Sequence, residues 1–247
     1  MILPSIEDKT VSRPGGEGHH IPHPEYTEFW EAFYGYLQKN FSIGKPLSAD
    51  NLPERVNPYF GFFGFRFQST TKTSRYFHLG LDISAKAKTE VHAIADGLLE
   101  YSGFGHINGR YVFLSHPDIR TEDGFTMHTL YLHMKNTSVS FNTYEKMLRR
   151  ISLNNYPNIR ISKGQKIGGV GSTGNAEGLH THLHLQVEFR NEKGKIIVID
   201  PARSLGIEPK ENITGRAETE ESFQAMLVEN KDEIKKLGIG NYWKLSK

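Results

Sequence analysis

Two histidines separated by one residue, His182 and His184, are the first candidates for chemistry in this sequence. They lie in the segment THLHLQVEF, where apolar and polar residues alternate as in a half-buried β-strand. Side chains alternate across a strand, so both imidazoles project from one face while Leu183 and Leu185 face the core. Two neutral imidazoles on one face suit a Zn²⁺ site, although an isolated His-x-His string is more often structural.

A second pair, His78 and Asp82, lies in the segment SRYFHLGLDI at 74–83, which is predicted to be a strand, and the two residues are four apart with Gly80 between them. Residues four apart on a strand share a face, so the two side chains could reach one point, and Gly80 removes a side chain from the space between them. A set of two histidines and one aspartate leaves one position of a tetrahedral zinc ion open for water. This is the arrangement of catalytic zinc sites, where the pKa of the bound water falls to about 7.

A third piece is Tyr131-Leu132-His133, on another predicted strand. A histidine that lies near a metal without binding it can act as a general acid or base, or stabilise a developing oxyanion. His133 is the candidate for that role. Tyr131 could donate a hydrogen bond to the oxyanion, and the alternative is that it packs in the core.

The composition limits what these residues can do. The chain of 247 residues contains no cysteine, so disulfides and thiolate metal sites are excluded and a metal must sit on His, Asp or Glu. Lys and Arg number 30 against 28 for Asp and Glu, which does not indicate a nucleic-acid binder. No run of 18 apolar residues occurs, so no transmembrane segment is expected. The first ten residues lack the basic and apolar regions of a secretory signal, so we expect either a cytosolic protein or a chain whose targeting segment has been removed.

The elements that must position these residues are mostly short strands. From about Phe60 the hydrophobic period changes from helical to two, with Gly, Asn, Asp and Pro between the segments, which predicts an antiparallel β domain. We expect an N-terminal extension over 1–59, a catalytic β domain over 60–205 and a C-terminal helical tail over 206–247. The extension should contain one amphipathic helix over 25–41 whose stripe packs against a neighbouring domain; a peptide-binding stripe is the alternative. The stripe consists of Trp30, Phe33, Tyr34, Leu37 and Phe41.

Two further helices are predicted, an insertion at 141–151 and a tail helix at about 218–237. The string GGVGSTGNAEG lacks G-K-[ST] and precedes a strand, so it is not a phosphate loop. The remaining histidines are expected to be structural, surface or loop residues: His19, His20, His23, His92, His106, His116 and His128.

The order H-x-G-x-D, Tyr-x-His and a glycine-rich segment ending in H-L-H resembles the M23 peptidases, the lysostaphin-like or LytM-type endopeptidases of peptidoglycan. Three further segments resemble that family: KTEVHAIADGLLEYSG, ISKGQKIGGVGSTGNAEG and VIDPARSLG. The similarity covers roughly residues 60–205. It implies a mainly β, antiparallel β-sheet or sandwich fold of LytM type, with His78, Asp82 and His184 as zinc ligands. It implies that His133 and His182 are catalytic histidines that do not bind the metal.

The resemblance also implies a substrate and a location. The expected activity is zinc-dependent cleavage of peptide cross-links in bacterial peptidoglycan, with a D,D-endopeptidase preferred over a glycyl-glycine specialist. The protein would then work in the periplasm or outside the cell, its targeting segment having been removed. Two alternatives stay open: a non-catalytic relative that binds or activates a cell-wall amidase, and a latent enzyme whose N-terminal residues, such as Asn51, Asn57 or His23, plug the groove.

The sequence departs from the family pattern in two places. His180, His182 and His184 would share one strand face, so a shifted register could make His182 the ligand and His180 the catalytic group; the match of HLHLQV favours the first register. Gln186 stands where the family usually has Glu. That Glu is not a metal ligand, so we expect little effect on metal binding and a change only in the residues that surround the ligands. Arg66 lies where the family often has an Arg at the entry to the sheet, and it could line the groove.

Overall fold

The computed structural model describes residues 2–13, 18–48, 52–56, 61–67, 75–139 and 159–207. The predicted helices at 141–151 and 218–237 lie outside these residues. So do Asn51 and Asn57, two of the three residues considered as a plug.

The described residues are mainly strands, as the sequence predicts. Their bounds are β1 Ile2–Leu3, β2 Thr10–Ser12, β3 His19–Pro22, β4 Gly64–Phe67, β5 Arg75–His78, β6 Leu81–Ser84, β7 Glu90–His92, β8 Gly97–Gly105, β9 Gly109–Thr121, β10 Thr126–Met134, β11 Asn136–Thr137, β12 Arg160–Ile161, β13 Lys166–Gly169, β14 His182–Arg190 and β15 Ile196–Ile199. Two α-helices accompany them, α1 Thr27–Phe41 and the short α2 Pro201–Ser204. Single turns of 3₁₀-helix cover Glu7–Lys9, Pro24–Tyr26, Leu52–Arg55 and Gly174–Ala176.

One ten-stranded sheet holds most of these strands, in the order β12-β8-β9-β10-β14-β15-β3-β2. Strand β6 pairs with the first part of β14, residues 182–185, and β15 pairs with the following part, residues 187–190. Strand β1 pairs with β9. Only the β1–β9 and β15–β3 pairs within this sheet are parallel. Two small sheets, β11-β13-β7 and β4-β5, flank it. The predicted fold class, mainly β with an antiparallel sheet, is therefore confirmed.

Strand β14 shows why the sheet has two different faces. Its apolar residues Leu183, Leu185, Val187 and Phe189 are fully buried in the main core. Burying one such side chain contributes roughly 1.5–3 kcal/mol, so the alternation fixes which face turns inward. The intervening residues, which begin with His182 and His184, are left on the opposite face.

The N-terminal extension joins the same core. Trp30, Phe33, Tyr34 and Leu37 of α1 are buried, and the Phe33 ring lies 5.7 Å from that of Phe189 on β14. The predicted stripe therefore packs against the β domain. The alternative, a peptide-binding stripe, is wrong for these four residues. The division of the chain at 59 and 205 stays a prediction.

One element differs from its prediction. The sequence predicts a single strand through residues 74–83, but β5 ends at His78 and β6 begins at Leu81. The two strands belong to different sheets, β5 to the two-stranded one and β6 to the ten-stranded one. His78 and Asp82 therefore do not share a face of one strand, and their meeting depends on the bend at Leu79-Gly80.

Candidate metal centre

The face of β14 opposite its apolar residues carries the imidazoles of His182 and His184. Strand β6 runs antiparallel beside it, and His184 stands directly opposite Asp82. On its other side β14 pairs with β10, where Leu132 is opposite His184. The face that carries His182 and His184 is therefore formed by three neighbouring strands, β6, β14 and β10.

Three side chains converge at this point: His78, Asp82 and His184. His184 Nδ1 lies 2.8 Å from Asp82 Oδ1 and 3.1 Å from His78 Nε2, and the last two atoms are 3.3 Å apart. Two ligand atoms on a tetrahedral zinc ion, each bound at about 2.0–2.1 Å, would be separated by roughly 3.3 Å. In the part of the chain that the structure describes, these three residues form the group whose ligand atoms are close enough to share one ion.

Backbone carbonyls of residues 61–62 contact two of these residues. His78 Nδ1 lies 2.8 Å from the carbonyl oxygen of Phe62, so this nitrogen donates its proton there and leaves Nε2 with a lone pair. The backbone N–H of Asp82 donates to the neighbouring carbonyl of Gly61 at 2.7 Å. Residues 61–62 therefore hold both ligands from the chain segment just before β4.

Gly80 makes room for the third ligand. A Cβ at this position would lie 2.4 Å from His184 Nε2 and 2.7 Å from the carbonyl oxygen of Leu185. The glycine predicted to keep the site open therefore does so because the His184 ring occupies the space beside it. Any larger residue at position 80 would displace that ring or the β14 backbone.

His133 reaches the same face through an irregularity of β10. Its backbone has φ +61°, and the pairing of β10 with β9 shifts register between Tyr131 and Met134. Such a bulge re-aims side chains, and a left-handed non-glycine residue costs on the order of 1–3 kcal/mol. The His133 ring centre lies 5.8 Å from that of His184 and 5.2 Å from that of His182.

Both additional histidines are held by backbone carbonyls. His133 Nδ1 lies 2.9 Å from the carbonyl oxygen of Thr173, and His182 Nδ1 lies 3.0 Å from that of His180. Each ring therefore donates a hydrogen bond from Nδ1, and its Nε2 has a lone pair that can accept a proton from another group. His182 Nε2 lies 3.9 Å from Asp82 Oδ1, so this nitrogen faces the three converging side chains.

Burial sets the charge state of His133. Burial, together with the neighbouring His184 and His182, lowers the pKa of the ring to about 3. Burial and His182 also lower the pKa of His180. His133 is therefore neutral at neutral pH, the form that can accept a proton at Nε2.

His180 does not share the strand face that the sequence predicts. Strand β14 begins at His182, so His180 lies in the preceding loop, half-buried, with its ring centre 5.2 Å from that of His182. The structure brings His184, and not His182, into the group of three around Asp82. This arrangement favours the register in which His184 is the ligand.

Tyr131 does not reach the site. It is fully buried in the core face of β10, its hydroxyl accepts a hydrogen bond from Ile94 N at 2.9 Å, and burial raises its pKa to about 12. The oxyanion role considered for Tyr131 is therefore wrong, and the packing alternative holds. His116 is also fully buried, and both of its ring nitrogens have partners within 2.8 Å, Asp96 O and Thr129 Oγ1.

Two residues near the site escaped the sequence interpretation. Glu188 is fully buried two positions beyond Gln186, whose side-chain amide donates to Glu188 Oε2 at 2.7 Å; the Arg190 guanidinium also contacts this carboxylate. The period-two alternation could have found Glu188, because it shares the face of His184. Thr173, which holds His133, carries no such signal.

The predicted role of Arg66 as a groove residue stays a prediction; its backbone lies in β4. His23, the third plug candidate, accepts a hydrogen bond at Nδ1 from Glu25 N at 3.2 Å. No helix among the described residues is long and apolar enough to cross a membrane.

Comparison with known proteins places this site in a family context. The sequence model of peptidase family M23 matches residues 76–197, a range that contains the three converging residues and both additional histidines.

Two curated relatives match over part of their length. The peptidoglycan DD-endopeptidase ShyC of Vibrio cholerae is 29% identical over 157 residues, which cover 62% of this chain and 31% of that protein. The DD-carboxypeptidase/endopeptidase Mpg of Neisseria meningitidis is 30% identical over 125 residues, which cover 51% of this chain and 23% of that protein. The chain thus spans less than a third of the curated relatives it matches.

Solved structures with a similar chain trace include the catalytic domain of the antimicrobial peptidase lysostaphin from Staphylococcus simulans. That comparison has a TM-score of 0.40 and 19% identity, and it covers 60% of this chain and 92% of the other.

Proposed function

We propose that this chain, whose residues 76–197 match the model of peptidase family M23, is a zinc-dependent endopeptidase that hydrolyses peptide cross-links of bacterial peptidoglycan. The observation that carries the proposal is the convergence of His78, Asp82 and His184, whose ligand atoms all lie within 4.8 Å of one another.

The donor set supports zinc as the metal. Two imidazole nitrogens and one carboxylate oxygen suit Zn²⁺, and the separations of 2.8–3.3 Å are close to those of a tetrahedral site. The Phe62 carbonyl holds His78 in the tautomer that exposes Nε2. We assign the metal to His78 Nε2, Asp82 Oδ1 and His184 Nδ1, which leaves a fourth position for water.

The proposed chemistry is amide hydrolysis without a covalent enzyme intermediate. When bound, zinc supplies a Lewis acid and lowers the pKa of water in the site. His133 and His182, each held at Nδ1, are assigned to proton transfer at Nε2. One takes a proton from the attacking water as the carbon–oxygen bond forms, and the leaving amine gains a proton as the carbon–nitrogen bond breaks.

The substrate assignment is supported by the activities for which the two relatives are named, a peptidoglycan DD-endopeptidase and a DD-carboxypeptidase/endopeptidase. We propose that this chain likewise cleaves the D,D bond of stem-peptide cross-links. Such a substrate lies outside the cytoplasmic membrane, so the proposal includes a periplasmic or extracellular location.

The test is digestion of defined, cross-linked muropeptides by the purified protein, with products identified by mass spectrometry. Cleavage should yield uncross-linked stem peptides, stop on addition of a chelator and return with Zn²⁺. Asp82→Asn should abolish it, while Asp118→Asn, at an exposed position, should not. Intact cross-links after incubation with protein that contains zinc would refute the proposed substrate.

The two alternatives make different predictions. A non-catalytic amidase partner should leave all muropeptides intact and stimulate a separate amidase, whether or not it binds zinc. A latent enzyme should gain activity when a plugging residue is replaced. Because α1 is part of the core, removal of the first 59 residues would damage the fold, so Asn51→Ala and Asn57→Ala are better tests of latency.

A further inference from the structure

Thr173 contacts His133 through its backbone carbonyl and N–H, and the neighbouring backbone through its side-chain hydroxyl. Its carbonyl oxygen accepts from His133 Nδ1 at 2.9 Å, and its N–H donates to the His133 carbonyl at 3.3 Å. Its hydroxyl accepts from Arg110 N at 2.8 Å and donates to Met134 O at 2.9 Å. Four hydrogen bonds thus tie this one residue to the bulged end of β10 and to the start of β9.

The packing around Thr173 leaves little space for rearrangement. A Cβ at Gly109 would lie 2.2 Å from Thr173 Oγ1, and one at Gly174 would lie 2.2 Å from Gly109 N. The tight turn between β8 and β9 also accepts from His133, whose N–H donates to Asn108 O at 3.0 Å. The loop that contains Thr173 and the β8–β9 turn therefore meet backbone to backbone beside His133.

We infer that Thr173 is a positioning residue for the proposed reaction, which clamps the left-handed backbone of His133 and fixes its ring with the proton on Nδ1 and Nε2 toward the metal ligands. This role rests on the proposed function for its effect on catalysis and on the four hydrogen bonds for its geometry. The carbonyl selects the tautomer, and the hydroxyl holds that carbonyl in place by joining Arg110 N to Met134 O.

The effect follows from how proton transfer depends on geometry. A general acid or base must lie within hydrogen-bond reach of the reacting atom, and a displacement of about 1 Å can cost roughly 10²-fold in rate. Loss of the Thr173 hydroxyl should therefore lower kcat by about 10–100-fold, while KM and zinc content change little because no ligand is touched.

The experiment compares Thr173→Val, which removes the hydroxyl with little change of shape, with Thr173→Ser, which keeps it. The serine variant should restore kcat to within about threefold of the parent value. Thr121→Val is the matched control, because Thr121 is a buried threonine whose hydroxyl makes hydrogen bonds to the backbone of Phe125. It lies at the end of β9, whereas Thr173 contacts the start of that strand. This control variant should be destabilised to a similar degree in thermal unfolding and keep its kcat.

A second readout does not depend on turnover. In the metal-free protein, imidazole ¹⁵N shifts should show His133 with its proton on Nδ1 in the parent and in Thr173→Ser, and a mixture of tautomers in Thr173→Val. Equal kcat and equal His133 shifts in the valine and serine variants would overturn the positioning role. If the parent itself cleaves no muropeptide, the proposed function fails, and the ¹⁵N shifts still decide whether Thr173 positions His133.

Discussion

Two buried histidine environments on the same sheet illustrate the difference between a structural and a chemical histidine. His116 is fully buried, and each of its ring nitrogens has its own protein partner, the Asp96 carbonyl and the Thr129 hydroxyl. His184 is also buried, but its Nδ1 lies within 3.1 Å of two other potential ligand atoms, Asp82 Oδ1 and His78 Nε2.

The contrast shows that burial of a histidine does not by itself indicate a site. Around His116 the hydrogen-bonding capacity is matched one to one, so nothing further is required. Around His184 three groups that can donate electron pairs face one another, which is an arrangement that a cation stabilises. Changes to the environment of His184 should therefore alter metal binding or turnover, whereas a change at His116 should alter stability alone.

The largest effect is expected for His184→Ala. Removal of this side chain should empty the metal site and reduce cleavage to the background rate, because two ligands do not make a structural or catalytic zinc site. Zinc content by elemental analysis and muropeptide cleavage should fall together. His106→Ala, at an exposed position on the β8–β9 turn, should change neither; cleavage without bound zinc in His184→Ala would contradict the assignment.

His133→Ala should separate metal binding from turnover. The ring is close to the ligands but is assigned to proton transfer, so zinc content should stay at the parent level while kcat falls by about 10²–10⁴-fold. The measurements are zinc stoichiometry and steady-state kinetics on one protein sample. An empty metal site in this variant would show that His133 is a ligand and that its assigned role is wrong.

Gly80→Ala should weaken the metal site without removing any ligand. The added methyl group would lie 2.4 Å from His184 Nε2, so the ring must move, and we expect a loss of about 10–100-fold in zinc affinity. Competition with a chelating dye measures this. Gly35→Ala is the control, since a Cβ there meets nothing within 4 Å and the helix should gain about 0.5–1 kcal/mol.

The smallest effect on activity, but a distinct one on stability, is expected for His116→Gln. Burial lowers the pKa of His116 to about 4 in the folded protein, from about 6.5 when unfolded. Between these values only the unfolded chain takes up the proton. The free energy of unfolding is therefore highest with respect to this group above pH 6.5. It falls by up to about 3 kcal/mol as the pH drops toward 4, because protonation of His116 favours the unfolded chain.

In His116→Gln that part of the acid sensitivity should be missing, which urea unfolding at pH 7.5 and at pH 5 would measure. Thr129→Val keeps the titrating ring and should retain most of the dependence. Zinc content and kcat should stay near the parent values in both. An undiminished fall in stability in His116→Gln would show that other groups cause the acid sensitivity.

Much of the fold could be predicted because its signals are local. Alternation of apolar residues identified β14 and its core face, and helical spacing identified α1 and its buried stripe. The same alternation placed His182 and His184 together. The prediction of one strand over residues 74–83 was wrong, because hydrophobic periodicity does not indicate that the chain passes from one sheet to another between His78 and Leu81.

The sequence by itself determined which residue types were available for the chemistry, since a chain without cysteine and with these spaced histidines and aspartate offers imidazole and carboxylate ligands but no thiolate. The tertiary structure alone decided which atoms meet. The pairing of β14 with β6 sets His184 against Asp82, the bend at Gly80 returns His78 to them, and the bulge at His133 turns that ring toward them while Tyr131 stays in the core. Strand pairing and bulges arise from contacts between distant parts of the chain, which no local pattern of residues records.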